Sequence, residues 1–151
     1  MAGTIELSID NFGISGRGLT IKELRFICTA DVADASFPVA HTGTIVGAPG
    51  ISTSFTKLIT GWFLHKIIVN PGATAPTVSS DLTITDRHGI DILDGNGTDL
   101  IHNTDSKQSY AMIDGVPSLQ PVVGDYILTI TNNLVNSATL TITLLFVPNI
   151  M

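Results

Sequence analysis

The aspartates between Asp81 and Leu100 are the side chains of this chain best placed to do chemistry. The stretch reads Asp81-Leu82-Thr83-Ile84-Thr85-Asp86-Arg87-His88-Gly89-Ile90-Asp91-Ile92-Leu93-Asp94-Gly95-Asn96-Gly97-Thr98-Asp99-Leu100. Calcium takes hard oxygen ligands, and Asp91, Asp94 and Asp99 are the candidates to supply them. The alternation Gly89-x-Asp91-x-Leu93-x-Gly95-x-Gly97-x-Asp99 is shared with the calcium-binding β-roll, but that motif repeats its aspartates with each nonapeptide and stacks several turns. Here the spacing from Asp91 to Asp99 is one residue short, and there is a single turn. An EF-hand loop started at Asp94 puts Thr98 and Asp99 where a second acidic ligand and a glycine belong. The expectation is therefore no metal site. The segment reads as a strand, a turn at 87–89, a short strand and a glycine-rich turn.

Other constellations fail in the same way. His41, His65, His88 and His102 have no zinc-ligand spacing. Cys28 is the sole cysteine and sits in the apolar run Leu24-Arg25-Phe26-Ile27-Cys28. It reads as a small buried hydrophobe, because a nucleophile needs a base and an electropositive setting. Gly13-Ile14-Ser15-Gly16-Arg17 has Arg17 where a nucleophile elbow needs glycine. There is no P-loop and no dinucleotide fingerprint, and nothing local sets two carboxylates in a cleft as a glycosidase requires. No catalytic residue, no cofactor and no enzymatic activity are expected. Trp62 opens the most apolar run and reads as a core anchor. Tyr110 and Tyr126 border a long loop and are candidates for an interface.

The elements that must carry these residues are strands. Charged residues make up 13% of the chain and mean hydropathy is +0.39, against roughly 25% charged in an ordinary soluble domain. The commonest residues, Ile and Thr, are β-branched and favour the pleated backbone. Period-two alternation runs through Ile5–Ile9, Leu24–Cys28, Leu82–Ile84, Tyr126–Thr131 and Thr139–Phe146. Trp62–Val69 is apolar at most positions of both faces and reads as a central strand stopped by Asn70-Pro71-Gly72. Asn132–Ser137 reads as the turn of a terminal hairpin whose outward face carries Thr129, Thr131, Thr139, Thr141 and Thr143. One helical turn is expected at most, at 30–35. The prediction is a single all-β domain over 1–151, an antiparallel β-sandwich or jelly roll, with an extended N-terminal segment and two long loops, 41–57 and 103–125.

The seven Lys and Arg are scattered and the net charge is −6, so the clustered basic face that nucleic acid needs is missing. No apolar run approaches the length of a membrane-spanning helix, and no secretory signal is apparent at Met1–Glu6. Synthesis in a reducing cytoplasm, without membrane or nucleic-acid partners, is expected. A charge-poor β surface points to a subunit covered by copies of itself or by a larger lattice, since neutral surface is buried without desolvating ions.

Three pieces of the sequence resemble small virion structural proteins of tailed bacteriophages. They are the strand ending Asn70-Pro71-Gly72 with Ala75-Pro76-Thr77 after it, the run Asp81-Leu82-Thr83-Ile84-Thr85-Asp86-x-x-Gly89-x-Asp91-x-Leu93-x-Gly95-x-Gly97, and the closing strands Tyr126–Asn132 and Thr139–Phe146. Together they span a little over half of the chain. The resemblance implies a capsid decoration or cement protein, a homotrimer seated on the outer surface of the major capsid protein lattice of an assembled head. The segment Ala2–Asp10 and the two long loops are the expected contacts. A neck, tail or fibre-associated virion component is the first alternative, and a carbohydrate- or calcium-binding β-sandwich module the second.

Overall fold

Alternating β-branched and apolar residues leave the backbone one economical way to satisfy its donors and acceptors, which is to pair edge to edge. A computed structural model describes residues 2–14, 19–43, 45–46 and 53–148. In chain order the strands are Thr4–Ile14 (β1), Leu19–Thr29 (β2), Ala40–His41 (β3), Ile45–Val46 (β4) and Thr53–Ser54 (β5). A helical turn, Phe55–Ile59 (α1), follows. Then come Phe63–Pro71 (β6), Asp81–Thr85 (β7), Lys107–Tyr110 (β8), Met112–Ile113 (β9), Val116–Pro117 (β10), Gln120–Pro121 (β11), Ile127–Thr131 (β12) and Thr139–Val147 (β13). Among the described residues these strands pair antiparallel throughout.

The large sheet runs β1-β2-β13-β6-β11, with β8 also on the outer edge of β6, and the small sheet runs β3-β12-β7. The register explains the core. Leu7, Phe26, Ile142 and Val69 lie opposite one another across four strands, as do Ile9, Leu24, Leu144 and Ile67. These rows face Leu82, Ile84, Leu128 and Ile130 of the small sheet in one continuous apolar cluster. The domain is thus the expected all-β, sandwich-like fold.

Several local readings are corrected. The last two strands do not form a hairpin. Strand β12 has β3 and β7 on its two edges, and β13 has β2 and β6 on its own. Asn132–Ser137 therefore crosses from one sheet to the other. It turns through Asn132 (φ 63°) and Ser137 (φ 55°), and the Asn133 amide bonds Ala35 O at 2.7 Å and Val135 O at 2.9 Å. Thr143 keeps the outward face but is not solvated there, being only 7% exposed between Arg25 and Ile68. The extended N-terminal segment is strand β1, paired with β2 along its whole length. The 103–125 stretch is not a loop but four short strands, two of which extend the large sheet beyond β6.

Within 41–57, β4 pairs with β5 and α1 begins; positions 44 and 47–52, like the Ser15 motif, lie outside the described residues. The helical turn falls at α1 and not at 30–35. Ser54 caps it, its hydroxyl accepting from Lys57 N at 3.2 Å, and Phe55 and Ile59 are buried. Trp62 is partly buried against the core, with the Lys22 ammonium 4.5 Å from its ring centroid. No helix among the described residues is long and apolar enough to cross a membrane.

Candidate functional site

The aspartate-rich stretch folds as a chain of tight turns, and the carboxylates build those turns. After β7, Asp86 accepts from His88 N at 2.8 Å and from Ile90 N at 3.1 Å, closing the turn at 87–89. The expected short strand after it is a single bridge between Asp91 and Thr85. Asp91 spends both oxygens on backbone donors. Its Oδ1 accepts from Leu93 N at 3.1 Å and Ile84 N at 3.4 Å, and its Oδ2 from Gly95 N at 2.9 Å. Asp94 and Gly95 both have positive φ, 50° and 78°, and Asn96 N closes their turn on Leu93 O at 3.0 Å. Gly97 is required for a different reason. A Cβ there would lie 1.7 Å from Leu82 O, so only glycine lets the turn return onto β7.

A second Asp-Gly pair makes the β9–β10 hairpin. Asp114 (φ 49°) and Gly115 (φ 74°) form the two-residue loop whose positive φ values match strand twist. Gly115 N donates to Asp94 Oδ2 at 2.6 Å, which ties the hairpin tip to the 91–97 turns. Two of the three calcium candidates, Asp91 and Asp94, thus come together with Asp86 and Asp114 around one open depression of about 460 Å³. Asp99 is elsewhere; its N–H donates to Asp81 Oδ1 at 3.0 Å and its carbonyl accepts from Lys107 Nζ at 3.1 Å. Among the described residues no group of three His, Cys, Asp or Glu is arranged to hold a metal ion.

The apolar part of this face is the feature the sequence reading missed. Ile90, Ile113, Val116, Leu119 and Val123 are between 49% and 62% exposed. Ile90, Ile113 and Val123 line the aspartate-rimmed depression, and Leu119 lines a neighbouring one of about 340 Å³ with His65, Tyr110 and Pro117. Val116 stands opposite Ile113 on the hairpin that separates the two. Scattered apolar residues on a surface need no explanation, but a group around paired depressions is the usual mark of a contact surface. The signal available in sequence was Asp114-Gly115 between Met112-Ile113 and Val116: a hairpin tip carrying apolar residues.

The remaining candidates resolve separately. His65 is the extra residue of a bulge where β6 passes β13, and its ring lies 5.5 Å from that of Tyr110. His102 Nδ1 faces the backbone N–H groups of Asp105 at 3.0 Å and Thr104 at 3.2 Å, with the Asp105 carboxylate 3.6 Å away. His88 is exposed in its turn, and His41 is exposed at the end of β3. Cys28 is fully buried with Sγ 3.5 Å from Phe26 O, and burial pushes its thiol up to about 12. That is the reverse of an activated nucleophile. Tyr110 is exposed as an interface residue would be, whereas Tyr126 is buried. Burial, and then the charge of Asp86, push its phenol up to about 12. Comparison of the chain with protein-family models, with curated proteins and with solved structures found no match.

Proposed function

We propose that this protein is a virion structural subunit of the decoration or cement type, which binds the outer surface of an assembled phage head through the face around the β9–β10 hairpin. The observation that carries the reading is the five half-exposed aliphatic side chains around two open depressions, the larger of them rimmed by Asp86, Asp91, Asp94 and Asp114. Arg87 donates to Val123 O at 3.3 Å and keeps its charge, but against the four carboxylates the rim stays net acidic. Such a face fits a partner surface that offers aliphatic residues bordered by Lys or Arg. Sparse charge elsewhere and the resemblance of the 61–147 region to phage virion proteins support the same reading.

The energetics favour a many-copy lattice as the partner. Fully burying an exposed Val, Leu or Ile contributes about 1.5–3 kcal/mol, so finishing the burial of five half-exposed ones contributes about 5 kcal/mol. Association costs at least about 4 kcal/mol in lost freedom, so a single isolated contact is weak. An ordered shell offers many contacts at once and is itself stabilised by whatever binds only the assembled form.

The test is co-sedimentation of purified protein with undecorated heads. Ile113→Asp and Val116→Asp, both on the exposed hairpin, are expected to weaken binding at least tenfold without altering the circular dichroism spectrum or the melting temperature. Binding by the unsubstituted chain is expected to fall as salt rises. Electron microscopy of labelled particles separates the virion alternatives. Label over the whole head supports decoration, and label confined to one vertex or to the tail overturns it in favour of a neck or tail component.

A further inference from the structure

Strand β1 is the free edge of the large sheet. Its eleven residues pair with β2 without a register shift, and among the described residues no strand lies on its other edge in the sheet order. Natural edges are blunted by charged side chains, Pro, bulges or short length; Thr4–Ile14 is long, has no Pro and no register shift, and carries only the charges of Glu6 and Asp10. Its core-side residues Ile5, Leu7 and Ile9 are only partly buried. Ile5 and Leu7 open onto a groove of about 350 Å³ between β1 and the β3 edge of the small sheet, where Val39 is 59% exposed.

The charge pattern of β1 says what pairs with its free edge. Residues directly opposite in an antiparallel pair share a face, and a slip by one residue sends the apolar set to the wrong side. A two-fold axis at Leu7 sets Ile5 against the partner's Ile9 and Leu7 against the partner's Leu7. On the outer face it sets Glu6 against the partner's Ser8 and Thr4 against the partner's Asp10. Other centres are worse. An axis at Ser8 opposes Glu6 to Asp10, axes at Glu6 or Asp10 oppose each to itself, and an axis at Ile9 loses two of the three apolar pairings. With the axis at Leu7, Asp10 keeps its ion pair with Arg25 of its own chain and meets only the uncharged Thr4 of the partner. We propose that β1 pairs antiparallel with β1 of a second copy about a two-fold axis at Leu7, joining two large sheets into one. The interface is isologous and closed, so it yields a dimer and stops there.

This inference stands apart from the virion reading, since it needs no shell. Sedimentation equilibrium of the full chain tests it with two substitutions at Ser8, which lies on the outer face away from the core. The unsubstituted chain is expected at twice 15.9 kDa. Ser8→Glu sets a carboxylate against the partner's Glu6 at two symmetric places and is expected to raise the dimer Kd about tenfold. Ser8→Lys sets an ammonium there and is expected to lower Kd by a similar factor, with the gain lost at high salt. A monomer at the highest attainable concentration overturns the proposal. So does a trimer, a dimer indifferent to both substitutions, or one weakened by Ser8→Lys, the last being the signature of an axis at Ser8. A dimer that responds as expected but fails to bind heads leaves the interface standing and defeats only the decoration reading.

Discussion

Replacing Asp91 by alanine separates a turn-building carboxylate from a metal ligand. The side chain is half-buried and accepts from Gly95 N at 2.9 Å, Leu93 N at 3.1 Å and, more weakly, Ile84 N at 3.4 Å. A hydrogen bond to a charged group contributes about 1.5–3 kcal/mol, and partial exposure puts these at the low end. Counting the two shorter bonds gives a loss of about 3 kcal/mol for Asp91→Ala. In a domain of this size each kcal/mol moves the melting temperature by about 2–4 °C, so the expected drop is about 6–12 °C. Asp91→Asn keeps one acceptor oxygen without the charge and should lose about half as much. The assay is thermal and urea unfolding of all three proteins, each in millimolar calcium and in chelator. For every protein the two curves should coincide, because the oxygens are occupied by backbone donors. An Asp91→Ala loss under 0.5 kcal/mol would refute the turn-building account. So would a calcium-induced rise in the unsubstituted midpoint that vanishes in Asp91→Ala, which would make Asp91 a ligand.

Two further perturbations probe the buried polar groups. Thr42, fully buried, accepts from Tyr126 N at 2.9 Å and shares a 2.7 Å hydroxyl contact with Thr56, whose own hydroxyl donates to Asp125 at 2.6 Å. Thr42→Val keeps the shape but strands the Tyr126 N–H, and should cost about 1–3 kcal/mol in urea unfolding, with Thr42→Ser retaining most of the stability. Cys28 titrates near 9.0 when exposed and near 12 when folded. The unfolded chain therefore releases a proton that the folded chain holds, and stability should fall as pH rises from about 9 toward 12. Unfolding midpoints across that range should decline less steeply in Cys28→Ala, with Tyr126 contributing the remaining slope above pH 10, and native Cys28 should resist alkylation at pH 8 until the protein unfolds.

Alternation at Ile5–Ile9, Leu24–Cys28, Leu82–Ile84, Tyr126–Thr131 and Thr139–Phe146 marked strands that the structure contains, because a half-buried strand has to alternate whatever it pairs with. Partner choice is not written in that period. Strands β12 and β13 each present one apolar face, and such strands serve equally well as a hairpin or as opposite walls of a sandwich. The Asn-rich link suits either, since Asn132 supplies positive φ in both. The short strands within 103–125 were hidden because two to four residues show no period, although Asp114-Gly115 carried a hairpin signal. The helical turn α1 had a readable cap at Ser54 and apolar spacing at Phe55, Leu58 and Ile59, but at five residues it is too short for periodicity to stand out. For the candidate site, the aspartates were legible as residues and their use was not. What commits them to backbone donors is the positive φ of Asp94 and the approach of Gly97 to Leu82, both products of the folded turn.

The two surfaces bear on each other through valence. The hairpin face has only about 5 kcal/mol of further apolar burial to offer, close to the entropy lost in fixing one rigid body against another. One copy bound alone is therefore held weakly. Pairing through β1 converts two such faces into one bivalent unit, and the second contact then forms at the effective concentration set by a rigid sheet, with no flexible linker to dilute it. Rigidity also imposes a condition, because both faces must meet repeated positions on the lattice simultaneously or the gain disappears. A substitution on the hairpin should then weaken attachment to heads more than proportionally in the paired form, and Ser8→Glu should weaken attachment although it leaves the hairpin face unchanged. If Ser8→Glu dissociates the pair and leaves the affinity for heads unchanged, each copy binds on its own, and the low charge of this exterior has to be explained by contacts other than the hairpin face.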